Sequence, residues 1–178
     1  TITVFNPAVL NRNTTYFKPQ LRFLNYDSKG NLLETVNLKS GQSSSVIMDY
    51  GLQYPIAKIS NAANVDIAYN SFESDGSGNW TLVSLIRDSL SSLTGKKSYN
   101  LSNGSITKTG LSNTKSYLLT LWLKAGATAT VNGAALPASI ASQIGWNLYS
   151  VSLSSTTSVT ITGTGLIDEV RLHPKVAN

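Results

Sequence analysis

The sequence predicts an all-β protein, a β-sandwich or jelly roll preceded by a smaller β-rich segment. Three observations carry that expectation. About one residue in three of the 178 is Ser, Thr or Asn, while charged residues make up only 13%. These short polar side chains compete with a helical backbone for its hydrogen bonds, so they favour strand faces and turns. Apolar residues alternate with polar ones over short runs, and Gly, Asn and Ser punctuate the runs. The hydrophobic content of 41% with a net charge of +5 suits a packed core and argues against disorder.

Taken in chain order, the first clear element is "LRFLNYDSKGNLLETVNL" (21–38). Two alternating runs flank Asp27-Ser28-Lys29-Gly30-Asn31, where Asp and Asn can cap the backbone and Gly30 can take positive φ, which predicts a β-hairpin. Pro55 in "SSSVIMDYGLQYPIAKISNA" cannot donate to a ladder and predicts an edge strand or a strand end. "IAKISNAANVD" reads as a connector, and "DIAYNSFE" opens a new strand, with a segment boundary near Asn64 that separates 1–65 from 66–178. Strand-like runs follow at 80–86, 97–102, 104–111, 116–125, 128–133, 146–153, 158–165 and 167–174, a spacing that describes a sandwich or jelly roll. "ALPASIASQIG" (135–145) is the one helix-like piece, short enough to be a loop with a single helical turn.

Several chemistries are excluded or disfavoured. With no cysteine there is no disulfide, thiolate nucleophile or cysteine-ligated zinc. No apolar run approaches the length of a membrane-spanning helix. The 14 basic residues are scattered, the densest pair being Lys96-Lys97, which does not describe a nucleic-acid stripe. The sole histidine, His173, lies near the end of the chain, and no G-x-S-x-G elbow, Walker A or G-x-G-x-x-G motif occurs. The nine acidic residues fall mostly in turns and at strand ends, so no catalytic pair stands out and the chain is read as a non-enzyme. Sequons at Asn13, Asn79, Asn100 and Asn103 are expected by chance in so Ser/Thr/Asn-rich a chain.

Two binding chemistries remain. "ESDGSG" lacks the alternating ligand spacing of an EF-hand. A β-sandwich can nevertheless hold calcium between a carboxylate of an early strand, one of the last strand and turn carbonyls, and Glu73 in "SFES" and Asp168 in "LIDEV" are the candidates. For sugars, an aromatic ring packs on the apolar face of a pyranose while amides and charges take the hydroxyls. In "YLLTLWLK", Tyr117, Leu119, Leu121 and Leu123 share the predicted core face, and Trp122 and Lys124 share the other. Trp122, Tyr149 and Tyr99 are candidate platforms, with Asn100 and Lys124 as polar partners; packing within the sheet is the competing role for each ring.

The run "FES…GNW" (72–80), "TGKKSYNL" (94–101), "YLLTLWLKAG" (117–126), "GWNLYSVSL" (145–153) and "GLIDEVRLHP" (165–174) resembles, in its order, galactose-binding-like jelly rolls, which include many carbohydrate-binding modules. The resemblance covers roughly 66–174 and implies a structural calcium held by Glu73 and Asp168 with the backbone oxygens of Gly95 and Lys96. A second resemblance covers the whole chain: "MDYGLQYPIAKISNAANVDIAYNSFESDGSGNW" followed by a jelly roll is similar to the segment ahead of the YD repeats in bacterial RHS/YD-repeat surface proteins, and "YDSKGNLL" (26–33) is itself YD-repeat-like. Together these imply a non-catalytic extracellular module, secreted or at the cell surface. It is expected to be a monomeric piece of a longer chain whose partner is a polysaccharide or cell-surface glycan. The alternative is a structural or adhesive spacer with no small ligand.

Overall fold

A computed structural model describes residues 20–175; residues 1–19 and 176–178, with the Asn13 sequon and the start of the 1–65 segment, lie outside the described residues. The chain is all-β. Fifteen strands run through the described residues, and the only helical pieces there are two 3-10 turns of three residues each.

Strands β1 (Leu21–Tyr26), β2 (Leu32–Asn37), β3 (Ser43–Asp49) and β4 (Tyr54–Ser60) form one antiparallel sheet in that order. The predicted hairpin forms because the Asp27 carboxylate accepts from the N–H groups of Lys29 and Asn31, both at 2.9 Å, while Gly30 takes φ +82°. Along β3 the pattern alternates, burying Ser45, Ile47 and Asp49 on one face. β4 carries Pro55 at the free edge of the sheet, as predicted, and continues to Ser60, so the connector starts later than its small residues imply.

The remaining strands build two sheets over one core. β12 (Ala141–Gln143), β13 (Trp146–Ser154), β9 (Ser116–Lys124), β15 (Leu166–Pro174) and β5 (Ala68–Asn70) are neighbours in that order, with β7 (Tyr99–Asn100) also paired to β15. The second sheet runs β11 (Ala134–Ala135), β10 (Thr128–Val131), β14 (Ser158–Thr164), β8 (Ile106–Thr109) and β6 (Thr81–Leu82). Leu119, Leu121, Leu123, Ile167 and Leu172 of the first sheet join Val131, Val159, Ile161 and Ile106 of the second in a single buried cluster. Each such side chain contributes about 1.5–3 kcal/mol on leaving water. Two sheets closing on one core is sandwich architecture.

Two expectations give way here. The 80–86 run pairs only at Thr81–Leu82, because its partner β8 starts at Ile106 and Gly104 follows the last bond, Val83 N–H to Ser105 O at 3.2 Å. Val83, Leu85, Ile86 and Leu90 are left exposed in the loop beyond it. The 135–145 piece is not helical. Ile144 and Gly145, at φ +50° and +75°, make a two-residue turn that folds Ala141–Gln143 back onto β13.

The passage between the sheets is hydrogen-bonded on both sides. Asn64 donates from Nδ2 to Val46 O (3.0 Å) and from its N–H to Glu34 Oε2 (3.0 Å), while Asn79 Nδ2 donates to the carbonyls of Asn64 and Ile67. Ile47, Ala62 and Ile67 form a small apolar cluster there, against which Ile56, Ile59 and Tyr69 pack. The β3–β4 turn is thereby held against the loop that follows β5.

Candidate ligand-binding site

The loop 91–97 is held by carboxylates from two directions. Asp168 Oδ2 accepts from the N–H groups of Leu93 (2.9 Å) and Thr94 (3.3 Å), and Glu73 Oε1 accepts from those of Lys96 (2.8 Å) and Lys97 (2.7 Å). The Gly95 Cα lies so close to the Glu73 carboxylate that a Cβ there would sit 2.3 Å from its carbon. Glu169 joins the arrangement because β15 bulges: its register against β9 shifts between Asp168 and Arg171, and Glu169 takes φ +51°. Its carboxylate accepts from Thr94 Oγ1 (2.8 Å), Tyr69 Oη (3.1 and 3.2 Å) and Arg171 (2.5 Å). In a regular strand Asp168 and Glu169 would point to opposite faces.

The residues implied for calcium therefore meet, but with the wrong polarity. Calcium needs converging oxygens; here the loop turns amide hydrogens toward both carboxylates, and the Gly95 carbonyl accepts from Ser92 Oγ at 3.2 Å. Among the described residues no three acidic or histidine side chains gather as a metal site. Glu73, moreover, follows β5 in a loop and is not part of the strand. As it stands the donor set is a carboxylate clasp on loop 91–97.

Asp168 carries a pH signature. Burial pushes its carboxyl up to about 6, against the pull of the N–H groups of Leu93, Thr94 and Glu169. The folded state then holds a proton that the unfolded chain, with an ordinary carboxyl near 3.8, has released. This group's contribution is complete below about pH 4 and is lost as pH rises through 6, on the order of 3 kcal/mol at most. Comparing urea unfolding of the parent and Asp168→Asn from pH 7 to 4 should show the difference moving in the parent's favour as pH falls. A difference independent of pH would remove Asp168 as its source.

The proposed sugar platform is taken apart by register. Tyr149 pairs with Leu121 and packs on the core, whereas Trp122 pairs with Leu148 and Asp168 on the opposite face, so the two rings cannot share a ligand. Tyr99 is fully buried, stacked on Phe72 at 5.5 Å, with Oη donating to Gly104 O. Asn100 caps the following 3-10 turn by accepting from Ser102 N–H at 3.0 Å, and Lys124 Nζ donates to Ser91 Oγ at 2.6 Å. Of the three rings only Trp122, half-buried, keeps a place on the outer face of β9, which it shares with Lys124. Sequence alternation identified the faces of β9 correctly but could not show which residues of β13 and β7 share them.

A concavity opens elsewhere. An open cleft of about 680 Å³ separates residues 48–52, the end of β3 and the β3–β4 turn, from residues 73–79, with Lys97 alongside. Its loop wall is stiffened from behind. Asn70 donates to Gly76 O (2.9 Å), and Arg87 donates to the carbonyls of Ser74 (3.3 Å) and Gly76 (3.0 Å) while lying over the Phe72 ring at 5.5 Å. Burial lowers the Arg87 pKa, opposed by Asp75 and Asp49. Asp49 is only 4% exposed and accepts from Tyr50 N–H at 2.6 Å; its carboxylate rests on Gly76, where a Cβ would come within 2.2 Å of Oδ1. Tyr50, half exposed and edge-on to Tyr54 at 6.2 Å, stands at the rim.

Sequence reasoning missed Asp49, Tyr50 and Lys97 as site residues. The available signal was "MDYG", an aromatic beside Gly in a hairpin turn. Only the passage between the sheets brings that turn to the 73–79 loop. Neither the protein-family models nor the characterised proteins compared with this chain match it.

Proposed function

We propose that this chain is a non-catalytic glycan-binding module of a larger extracellular protein, and that its ligand occupies the cleft between the β3–β4 turn and residues 73–79. The cleft carries the reading: it combines an exposed tyrosine ring, carboxylate acceptors from Asp49, Glu73 and Asp75, and a lysine donor. That combination of an apolar face with a few convergent polar groups is what a pyranose requires. Placement outside the cell is supported by the cysteine-free, Ser/Thr/Asn-rich sequence and its resemblance to galactose-binding-like and YD-repeat-associated segments. Among the described residues no helix is long and apolar enough to cross a membrane.

Retention on a panel of immobilised polysaccharides, followed by amide NMR shift mapping with matching oligosaccharides, tests this reading. Retention with shifts confined to the turn at 48–52 and the loop at 73–79 is expected. No retention on any polysaccharide overturns it. A spacer or adhesive role is favoured by a different feature: β1, at the edge of the first sheet among the described residues, leaves Leu21 and Phe23 of one face each more than half exposed, apolar side chains suited to protein contacts.

A further inference from the structure

The cleft carries the opposite charge to the protein around it. The chain as a whole is +5, yet the charged residues that line the cleft are Asp49, Glu73, Asp75 and Lys97, three negative and one positive. Each acidic residue keeps an oxygen free. Asp49 Oδ2, Glu73 Oε2 and both oxygens of Asp75 have no hydrogen-bond partner among the described residues, and Asp49 is otherwise buried. The nearest additional cation, Arg87, lies behind the loop, close enough to Asp75 and Asp49 for their charges to act on it; its three hydrogen bonds go to the carbonyls of Ser74, Leu85 and Gly76 and none to a carboxylate.

A neutral sugar covering this surface would donate hydroxyl hydrogens but leave carboxylates that have no ion-pair partner among the described residues desolvated, which is unfavourable. A bare metal ion is no better served, since no group of three metal-ligating side chains converges among the described residues. An ammonium attached to a pyranose satisfies both requirements: the charge meets the carboxylates in charge-assisted hydrogen bonds, and the ring meets Tyr50. We propose that the cleft selects glycans with free amino groups, hexosamines of the glucosamine type, over their N-acetylated and neutral counterparts. This rests on the glycan-binding reading above and adds the class of sugar.

The test is calorimetric titration of the whole chain with three oligosaccharides of equal length: one of glucosamine, one of N-acetylglucosamine and one of glucose. Spermidine serves as an amine without a ring. We expect the glucosamine oligomer to bind at least tenfold more tightly than the other two sugars and than spermidine. Its affinity should fall as salt is raised, and Asp75→Asn should weaken it several-fold. Asp75 is exposed and makes no hydrogen bond among the described residues, so that variant leaves the fold intact. Amide shifts should map to Tyr50, Asp75 and Gly76. Equal affinity for the N-acetylated or neutral oligomer overturns the amino-sugar preference while the glycan reading stands. Equal affinity for spermidine, or an unchanged Asp75→Asn, also overturns the preference. No binding of any sugar overturns both.

Discussion

Gly78→Ala should unfold at a temperature on the order of 10 °C below the parent. Gly78 sits at φ +62°, and a Cβ built there would come within 1.6 Å of the Tyr69 carbonyl oxygen, a backbone atom that cannot rotate away. The left-handed conformation alone costs an L-residue about 1–2 kcal/mol, and the clash adds an overpacking cost of about 1–3 kcal/mol. Together these amount to about 2–5 kcal/mol, and each kcal/mol is worth about 2–4 °C in a chain of this size. Gly126→Ala is the control, because Gly126 has a similar φ of +86° but nothing within 4 Å of its virtual Cβ. Equal losses from the two variants would show that the close approach is unimportant. The Gly78 carbonyl also accepts from Tyr69 N–H at 2.8 Å, so the substitution disturbs the seam where the cleft loop meets β5.

The second large effect belongs to Asp66. This residue lies in the 3-10 turn Asn64–Asp66 at the passage from the first sheet to the sandwich and is buried. Tyr117 Oη donates to its Oδ1 at 2.6 Å and Lys115 Nζ to its Oδ2 at 2.6 Å, while Ser112 N–H donates to the same tyrosine oxygen at 2.9 Å. Burial and the Asp66 bond push the Tyr117 hydroxyl pKa to about 12. Asp66→Ala strands that hydroxyl inside the protein and should cost about 2–3 kcal/mol, most of it the charged hydrogen bond; the half-exposed Lys115 adds little. Tyr117→Phe should cost less, since Asp66 keeps Lys115. In a double-mutant cycle by urea unfolding, the two losses should be strongly non-additive. Additive losses would mean the hydrogen bond is not the source.

How far each feature could be read from the chain follows the range of the interaction behind it. The Asp27–Asn31 turn forms from residues within five positions of one another, and the capping atoms are written into the sequence. The same holds for β9, where strict alternation put Tyr117, Leu119, Leu121 and Leu123 in the core. The 135–145 piece deceived because its apolar spacing fits a helical turn, while its hairpin depends on pairing with β13. The candidate rings separate for a related reason: Trp122 and Tyr149 were both candidate platforms, and the β9–β13 register puts them on opposite faces.

The candidate residues divide in the same way. Glu73 and Asp168 were identified as convergent carboxylates, and they do converge, on loop 91–97. Which atoms that loop would turn toward them was beyond sequence, because an N–H and a C=O belong to every peptide unit and only the loop's dihedrals choose between them. The β15 bulge that adds Glu169 is likewise a matter of register against β9.

The sequence by itself determined that this protein is all-β and which face of the inner strand β9 is buried. Composition and period-2 patterning are local properties, and local backbone preferences respond to them directly. Tertiary structure alone decided where a ligand cleft opens. Asp49 and Asp75 are twenty-six positions apart, and they meet only because Asn64, Asp66 and Asn79 bind the first sheet to the sandwich across the connector.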